Sequence, residues 1–272
     1  MLSVPPLPKP SEGLLPWAPD LWIHEAWVRF MGAPLQTRMT VVRLSGVDGE
    51  GRRPLWLYSP IGELDALGPA LAREGVVRHL VAPNALHHLG LGAFARAFPD
   101  ATTWATKNVE ARSKLRLDEA LAGPPERDTT PRSWGPDLEL CVLGGNLLFE
   151  ETLVLHKPSK TLIVTDFVEK IDESCCPPWA VRLVPIFGLP RGVPTPAPEH
   201  RSFAVDPAPL RAAKERVLAW DFERMIIAHG PNVDANAKDE LASCFDAAID
   251  AARGRGPVSV ALRRLWIALA PS

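Results

Sequence analysis

Four side chains able to ligate a metal ion, His87, His88, Asp166 and His229, each stand just beyond a run of aliphatic or β-branched residues. Arg78–Ala82 precedes Pro83-Asn84-Ala85-Leu86-His87-His88, Thr161–Thr165 precedes Asp166, and Arg224–Ala228 precedes His229-Gly230. Runs of this kind read as strands, so all four donors fall where a strand gives way to a loop. Three histidines and one carboxylate suit a borderline ion, one Zn²⁺ or an Fe²⁺, better than Mg²⁺ or Ca²⁺, which take oxygen ligands. If all four hold a tetrahedral ion, the site is structural. If three bind, or if coordination expands to five, a water position opens and hydrolysis becomes available.

Each donor also has a plainer reading. Neighbouring side chains on a strand point to opposite faces, so His87 and His88 share an ion only from a loop. Pro83 supplies that loop by ending the strand, and Gly90 and Gly92 loosen the backbone beyond the two histidines. A histidine satisfied by a backbone carbonyl, or an aspartate capping a turn, accounts for any one of the four taken singly. Three residues stand as supporting groups. Asn84 either shapes the turn or donates a hydrogen bond within the site. His156 either orients Asp166 from a paired strand or is satisfied near a hairpin turn. Asn146 follows Gly145. Glu150-Glu151 adds two further carboxylates, whereas His24, His79 and His200 have no supporting context.

The elements that must position these groups follow from pattern. Strands are expected at Thr40–Leu44, Pro54–Tyr58, Arg78–Ala82, Ala101–Trp104, Leu138–Leu143, Thr152–His156, Thr161–Thr165 and Arg224–Ala228. Lys157-Pro158-Ser159-Lys160 is a hairpin turn with proline at its first central position. Helices are expected from Asp65 to a stop at Gly75, over Leu91–Ala97, over residues 107–121, from Pro207 to Trp220 and from Asp234 to Ala252. Residues 1–20 form a proline-rich lead-in, and 21–272 a single domain. Seven prolines in residues 174–200 rule out continuous regular structure there. That stretch is an excursion or lid, expected to border the site because it follows Asp166. Successive sets of strands and helices satisfy the layer rule as two sheets packed face to face with helices outside, an α/β (α+β) arrangement.

The 272 residues carry a net charge of −2 and are 46% hydrophobic, enough for a sizeable core and without the basic footprint of nucleic-acid binding. Cys141, Cys175, Cys176 and Cys244 make no C-x-x-C pair, and the adjacent Cys175-Cys176 is poorly placed to bridge, so a reducing, cytoplasmic setting is expected. The start of the chain lacks the pattern of a signal peptide, no run is long enough to suggest a membrane span, and the apolar Val258–Ala270 is expected to pack on the body. The expected partner is a small-molecule substrate or ligand, with no nucleic acid and no membrane.

The pattern resembles the metallo-β-lactamase superfamily. That superfamily has an H-x-H-x-D-H loop after a strand, a later Gly-His, a metal-bridging Asp at a strand end and a final His after another strand. Aligning the terminal D-H with His87-His88 puts Pro83 and Ala85 at the first two histidines and Asn146 at the middle one. Asp166 matches the bridging Asp and His229 the final His. The resemblance therefore implies that one of two metal sites is lost, while His88, Asp166 and His229 remain, with His87 in place of the Asp. It also implies a four-layer αββα sandwich with two mixed sheets. Four segments, Thr37–Val42, Val81–His88, His156–Asp166 and Trp220–Arg224, resemble one branch of that superfamily, the DUF4336 family, which brings a fold and no assigned reaction. The resemblance leaves two main functions: a mononuclear metal hydrolase of an ester, amide, lactone or phosphoester, or a non-catalytic binding or scaffold protein. Non-hydrolytic metal chemistry, including redox work at iron, is a third.

Overall fold

The computed structural model describes residues 7–30, 32–106, 108–121, 130–148, 150–187, 190–253 and 260. In chain order the elements are β1 (Leu15–Ala18), β2 (Leu21–Phe30), β3 (Ala33–Arg43), β4 (Pro54–Tyr58), α1 (Leu64–Glu74), β5 (Val76–Ala82), α2 (Leu91–Ala97), β6 (Thr102–Thr106), α3 (Val109–Ser113) and β7 (Glu119–Leu121). Next come β8 (Leu138–Leu143), β9 (Glu151–His156), β10 (Thr161–Ile163), α4 (Pro178–Val181), α5 (Pro198–Phe203), α6 (Pro207–Leu218), β11 (Arg224–Ile226) and α7 (Ala237–Arg253).

The first seven strands form one sheet in sequence order, and the other four form a second in the order β11-β10-β9-β8. Both are mixed. In the larger, β4, β5, β6 and β7 run parallel after an antiparallel start; in the smaller, β10 and β11 are the parallel pair. Parallel strands send their C-terminal ends to the same edge, and the site lies where those ends gather.

Period-two alternation divides the core into layers. On β4, Trp56 and Tyr58 join Val81, Leu140, Val142, Val154, Ile163 and Ile226 between the sheets. The alternate residues Leu55 and Leu57 meet Leu67 and Leu71 of α1 and Leu91 and Phe94 of α2 on the outer face. Leu153, Leu155, Leu162 and Met225 likewise face outward from the smaller sheet, against Leu210 and Val217 of α6 and Leu241 and Phe245 of α7. These clusters define four layers: helices, sheet, sheet, helices. Trp56 stacks on Tyr58 and meets Trp134 edge-on, both at 5.3 Å between ring centroids, and such pairs add about 0.5–1.5 kcal/mol each beyond burial.

The helix ends follow sequence signals. Gly75 closes α1 by donating its amide to Leu71. Asp206 caps α6 by accepting from the Ala208 amide at 2.9 Å, just ahead of Pro207 in the first turn.

Two expectations need correction. The chain before Thr40 is largely sheet: β1 falls inside the expected lead-in, and β2 pairs with β3 in continuous register from Leu21↔Val42 to Phe30↔Ala33. Charged and polar side chains, Glu25, Arg29, Gln36 and Arg38, interrupt the apolar pattern there, because one stretch of this long hairpin borders a polar site. In the expected helix of residues 107–121, the described residues 108–121 give only the short α3 and then β7, which adds in parallel to β6. Polar spacing marked an edge strand as a helix. Apart from Val260, the segment 258–270 lies outside the described residues. Among the described residues no helix is long and apolar enough to cross a membrane.

Candidate metal centre

Three loops meet at the gathered strand ends. Beyond β5, Asn84 accepts from the amides of Leu86 (2.8 Å) and His87 (3.0 Å) through Oδ1. This local turn swings the His87 ring across the sheet edge. Beyond β10, the buried carboxylate of Glu151, at the start of β9, accepts from the amides of Thr165 (2.9 Å) and Phe167 (3.2 Å), so the backbone on both sides of Asp166 is pinned. Beyond β11, Arg38 donates to the carbonyls of Ile227 and Gly230 (3.0 Å for the latter) and to Asn232 (3.1 Å), which fixes the turn carrying His229. Gly230 has φ +98°, and a Cβ there would lie 1.9 Å from the Lys170 carbonyl oxygen; only glycine fits.

The result is a triangle. His87 Nε2, His229 Nε2 and Asp166 Oδ1 are each 3.2 Å from the other two. A tetrahedral ion with bonds of about 2.0 Å sets its donors about 3.3 Å apart, so the three atoms match one face of such a coordination sphere. Every donor is also held from behind. His229 Nδ1 donates to the Gln36 carbonyl at 2.6 Å, which leaves the Nε2 lone pair for the site; His87 Nδ1 is 2.8 Å from Ser59 Oγ; Asn84 Nδ2 donates to Asp166 Oδ2 at 2.8 Å. Groups that fix tautomer and ring orientation in this way accompany metal ligands generally.

Electrostatics point the same way. Burial opposes charge on Asp166, yet His87 and His229 hold its carboxyl well below the usual range. Burial likewise lowers the His229 pKa, but the Asp166 hydrogen bond and the charges of Glu169 and Asp166 outweigh it and raise it to about 9. The cluster is thus a buried carboxylate between two imidazoles, arranged to hold positive charge.

Of the four donors expected from sequence, the structure brings His87, Asp166 and His229 together, and His88 stands apart. Its Nδ1 donates to the Ala85 carbonyl at 2.9 Å, and it lines the same cavity as the other three without joining their cluster. The donor set drawn together is therefore two histidines and one carboxylate. The Asn84 turn decides this, because it aims residue 87 and not residue 88 at the sheet edge. Both readings of Asn84 hold at once: fully buried, it shapes the turn and reaches Asp166, Thr165 and Glu151. Asn146 ties the β8–β9 connection to α5, donating to the carbonyls of Glu199 (3.2 Å) and His200 (3.4 Å). His156 sits beside the hairpin turn, 2.7 Å from Ser159 Oγ and paired with Thr161, at the opposite end of β10 from Asp166. It is satisfied there and does not orient the aspartate.

Sequence reasoning missed His200, Ser59 and Glu169. His200 Nε2 donates to Glu151 Oε2 at 2.8 Å inside the fold, a pairing that no spacing announces. Ser59 follows β4 as one more strand-end residue. Glu169 is buried beside the site; burial first, then the negative charge of Asp166, push its carboxyl up to about 8 against the opposing pull of His229. Glu151 alone had a signal, as an acidic pair opening a strand.

All three donors line one cavity of about 880 Å³. The proline-rich stretch borders it through Cys176, Trp179, Ala180, Leu183, Pro198 and Glu199.

The DUF4336 family, described as a domain of unknown function, matches this chain over residues 19–189. The chain belongs to the DUF4336 family. His87 and Asp166 lie within the matched span, and His229 beyond it. No curated protein matches the chain. Among solved structures, the DIM-1 metallo-β-lactamase exposed to ceftazidime is similar at 13% identity and a TM-score of 0.58, covering 90% of this chain and 100% of that one. The FIM-1 metallo-β-lactamase from Pseudomonas aeruginosa, in its mono-zinc form, gives 12% and 0.58, covering 91% and 99%. A metal-soaked Flv1 flavodiiron core from Synechocystis sp. PCC6803 gives 12% and 0.58, covering 89% of this chain and 62% of that one. The fold of this DUF4336 protein is that of the metallo-β-lactamases, as its motifs implied.

Proposed function

We propose that this DUF4336 protein is a mononuclear metal-dependent hydrolase whose His87, Asp166 and His229 hold one zinc ion. The triangle of three donors 3.2 Å apart at a cavity supports this reading most directly. A His₂-carboxylate set is one of the recurring catalytic zinc environments, and its fourth position admits water. Zinc in such a site supplies Lewis acidity and an activated water for attack on an ester, amide, lactone or phosphoester. The protein's own groups do the rest. The Gln36 carbonyl, Ser59 and Asn84 orient the three donors. Glu169, with its pKa pushed up to about 8, holds a proton on its carboxyl close by, where a leaving group needs one. The same donor types also suit Fe²⁺. Four free, buried thiols support a reducing, cytoplasmic setting.

A non-catalytic binding role is the second reading. It is favoured by Pro83 and Ala85, which offer no side-chain donor where the resemblance puts the first site's histidines, and by the Asn146 amide, which is engaged with α5. Elemental mass spectrometry on protein purified without added metal separates the two. The hydrolase reading expects about one zinc or iron per wild-type chain, lost in His229→Ala and kept in His88→Ala. A folded but metal-free wild type refutes it.

A further inference from the structure

The walls of the cavity differ in chemistry from its floor. Val28 and Phe30 of β2 with Ala33 and Leu35 of β3 make one side, and Trp179 and Leu183 make another. These come from segments about 150 residues apart in sequence, joined by Ile61, Leu86 and Leu89. Of the nine large hydrophobic side chains exposed among the described residues, four line this cavity: Phe30 at 45%, Leu89 at 64%, Trp179 at 54% and Leu183 at 44%. Scattered exposed apolar residues need no explanation, but four of them lining one cavity together with polar donors do. The polar lining clusters toward the donors. Ser59 is engaged with His87, while Glu169 and Glu199 interact electrostatically with Asp166 and His229. Arg29 and Arg112, both exposed, are the cationic exceptions. At about 880 Å³ the space falls in the range of small-molecule sites, roughly 300–1,000 Å³.

We propose that this cavity takes a neutral acyl ester with a single long hydrocarbon chain, its carbonyl at the His87–Asp166–His229 floor and its chain along the Leu35, Trp179 and Leu183 walls. The largely apolar lining favours an uncharged acyl compound over an anionic phosphoester, and of the uncharged candidates the open-chain ester is the one that the proposal takes. The bond cleaved rests on the hydrolase reading: water oxygen joins the acyl carbon, the bond from that carbon to the alcohol oxygen breaks, and a proton passes to the alcohol, giving a fatty acid and an alcohol. The chain-binding wall does not depend on metal.

The test therefore uses full-length protein stripped of metal by chelation, titrated calorimetrically with a series of straight-chain alkyl methyl ketones. These present the carbonyl and the chain but have no bond to hydrolyse. Affinity is expected to rise about fourfold per added methylene until the cavity is filled, as burial of each CH₂ group requires. Trp179→Ala and Leu183→Asp change exposed residues, so the fold is kept, and each is expected to flatten that slope while metal uptake on reloading stays at the wild-type level. Affinity indifferent to chain length, or a slope unchanged in both variants, overturns the proposal even if the protein binds metal. A steep slope in a protein that never takes up metal supports the chain site and removes the hydrolase reading instead.

Discussion

Replacing Glu151 with alanine tests whether the site is held together from behind. Its carboxylate is fully buried and receives four donors: the amides of Thr165 and Phe167, the Asn84 amide nitrogen at 3.2 Å and His200 Nε2 at 2.8 Å. Alanine leaves two backbone amides and two side chains without this acceptor. Each buried donor left unsatisfied costs about 1–3 kcal/mol. Asn84 keeps Asp166 and Thr165 as partners, which limits its share, so a total near about 4 kcal/mol is expected. For a chain of this size, that corresponds to a fall in melting temperature of about 8–16 °C. Chemical denaturation at fixed pH gives the free energy, and a double-mutant cycle with His200→Ala isolates the pair. The double variant should lose less than the sum of the two singles, by at least about 1 kcal/mol. The reasoning fails if Glu151→Ala costs under about 1 kcal/mol, the low end for one lost donor, and leaves the metal content of the purified protein unchanged.

Asn84→Ala should weaken metal binding about 10–100-fold, read by competition with a chelating dye, because the Asp166 carboxylate loses the donor that orients it. Gly230→Ala forces a Cβ against the Lys170 carbonyl at φ +98°, so calorimetry should show a loss above about 3 kcal/mol, and a near-neutral result would show that the two loops separate easily. Metal-free protein should lose stability as pH rises from about 6.5 toward 9. His229, raised to about 9 when folded, stabilises fully below its unfolded value of about 6.5 and ceases to do so as it deprotonates. Glu169, raised to about 8, acts in the same direction from its unfolded value of about 4.3 upward, so Glu169→Gln should shallow the alkaline decline in melting temperature. A flat profile between about pH 6.5 and 9 would contradict both shifts. In acid the sign reverses for Asp166: its depressed pKa gives stability above about pH 4 that disappears as the carboxylate protonates.

Much of the layering was legible because apolar alternation is a local property. Pro54–Tyr58, Leu138–Leu143 and Leu91–Ala97 form the elements their residues announce. The β2–β3 hairpin was not legible along its full length, since Glu25, Arg38 and Gln36 occupy positions that an apolar pattern would fill. Those residues make sense only once Arg38 is seen spanning the hairpin and the turn of residues 227–232. Strand ends pointed to Asp166 and His229, which the fold brings together with His87, but which of His87 and His88 joins them is set by the Asn84 turn, a side-chain-to-backbone contact that spacing does not encode. Glu151 and His200 meet across 49 residues through tertiary packing alone.

The order of the strands also bears on how the chain emerges during synthesis. The whole seven-stranded sheet is present once Leu121 has been made, yet the face it presents, with Trp56, Tyr58 and Val81, is covered only by strands that come later. β10 in turn has one bare edge until β11 arrives some sixty residues on, and the third donor follows β11. A stalled or truncated nascent chain therefore exposes both an apolar sheet face and an open strand edge, the two features most prone to aggregation. Two of the three donors exist in such a fragment without the third, so the full triangle forms only after β11 has been made.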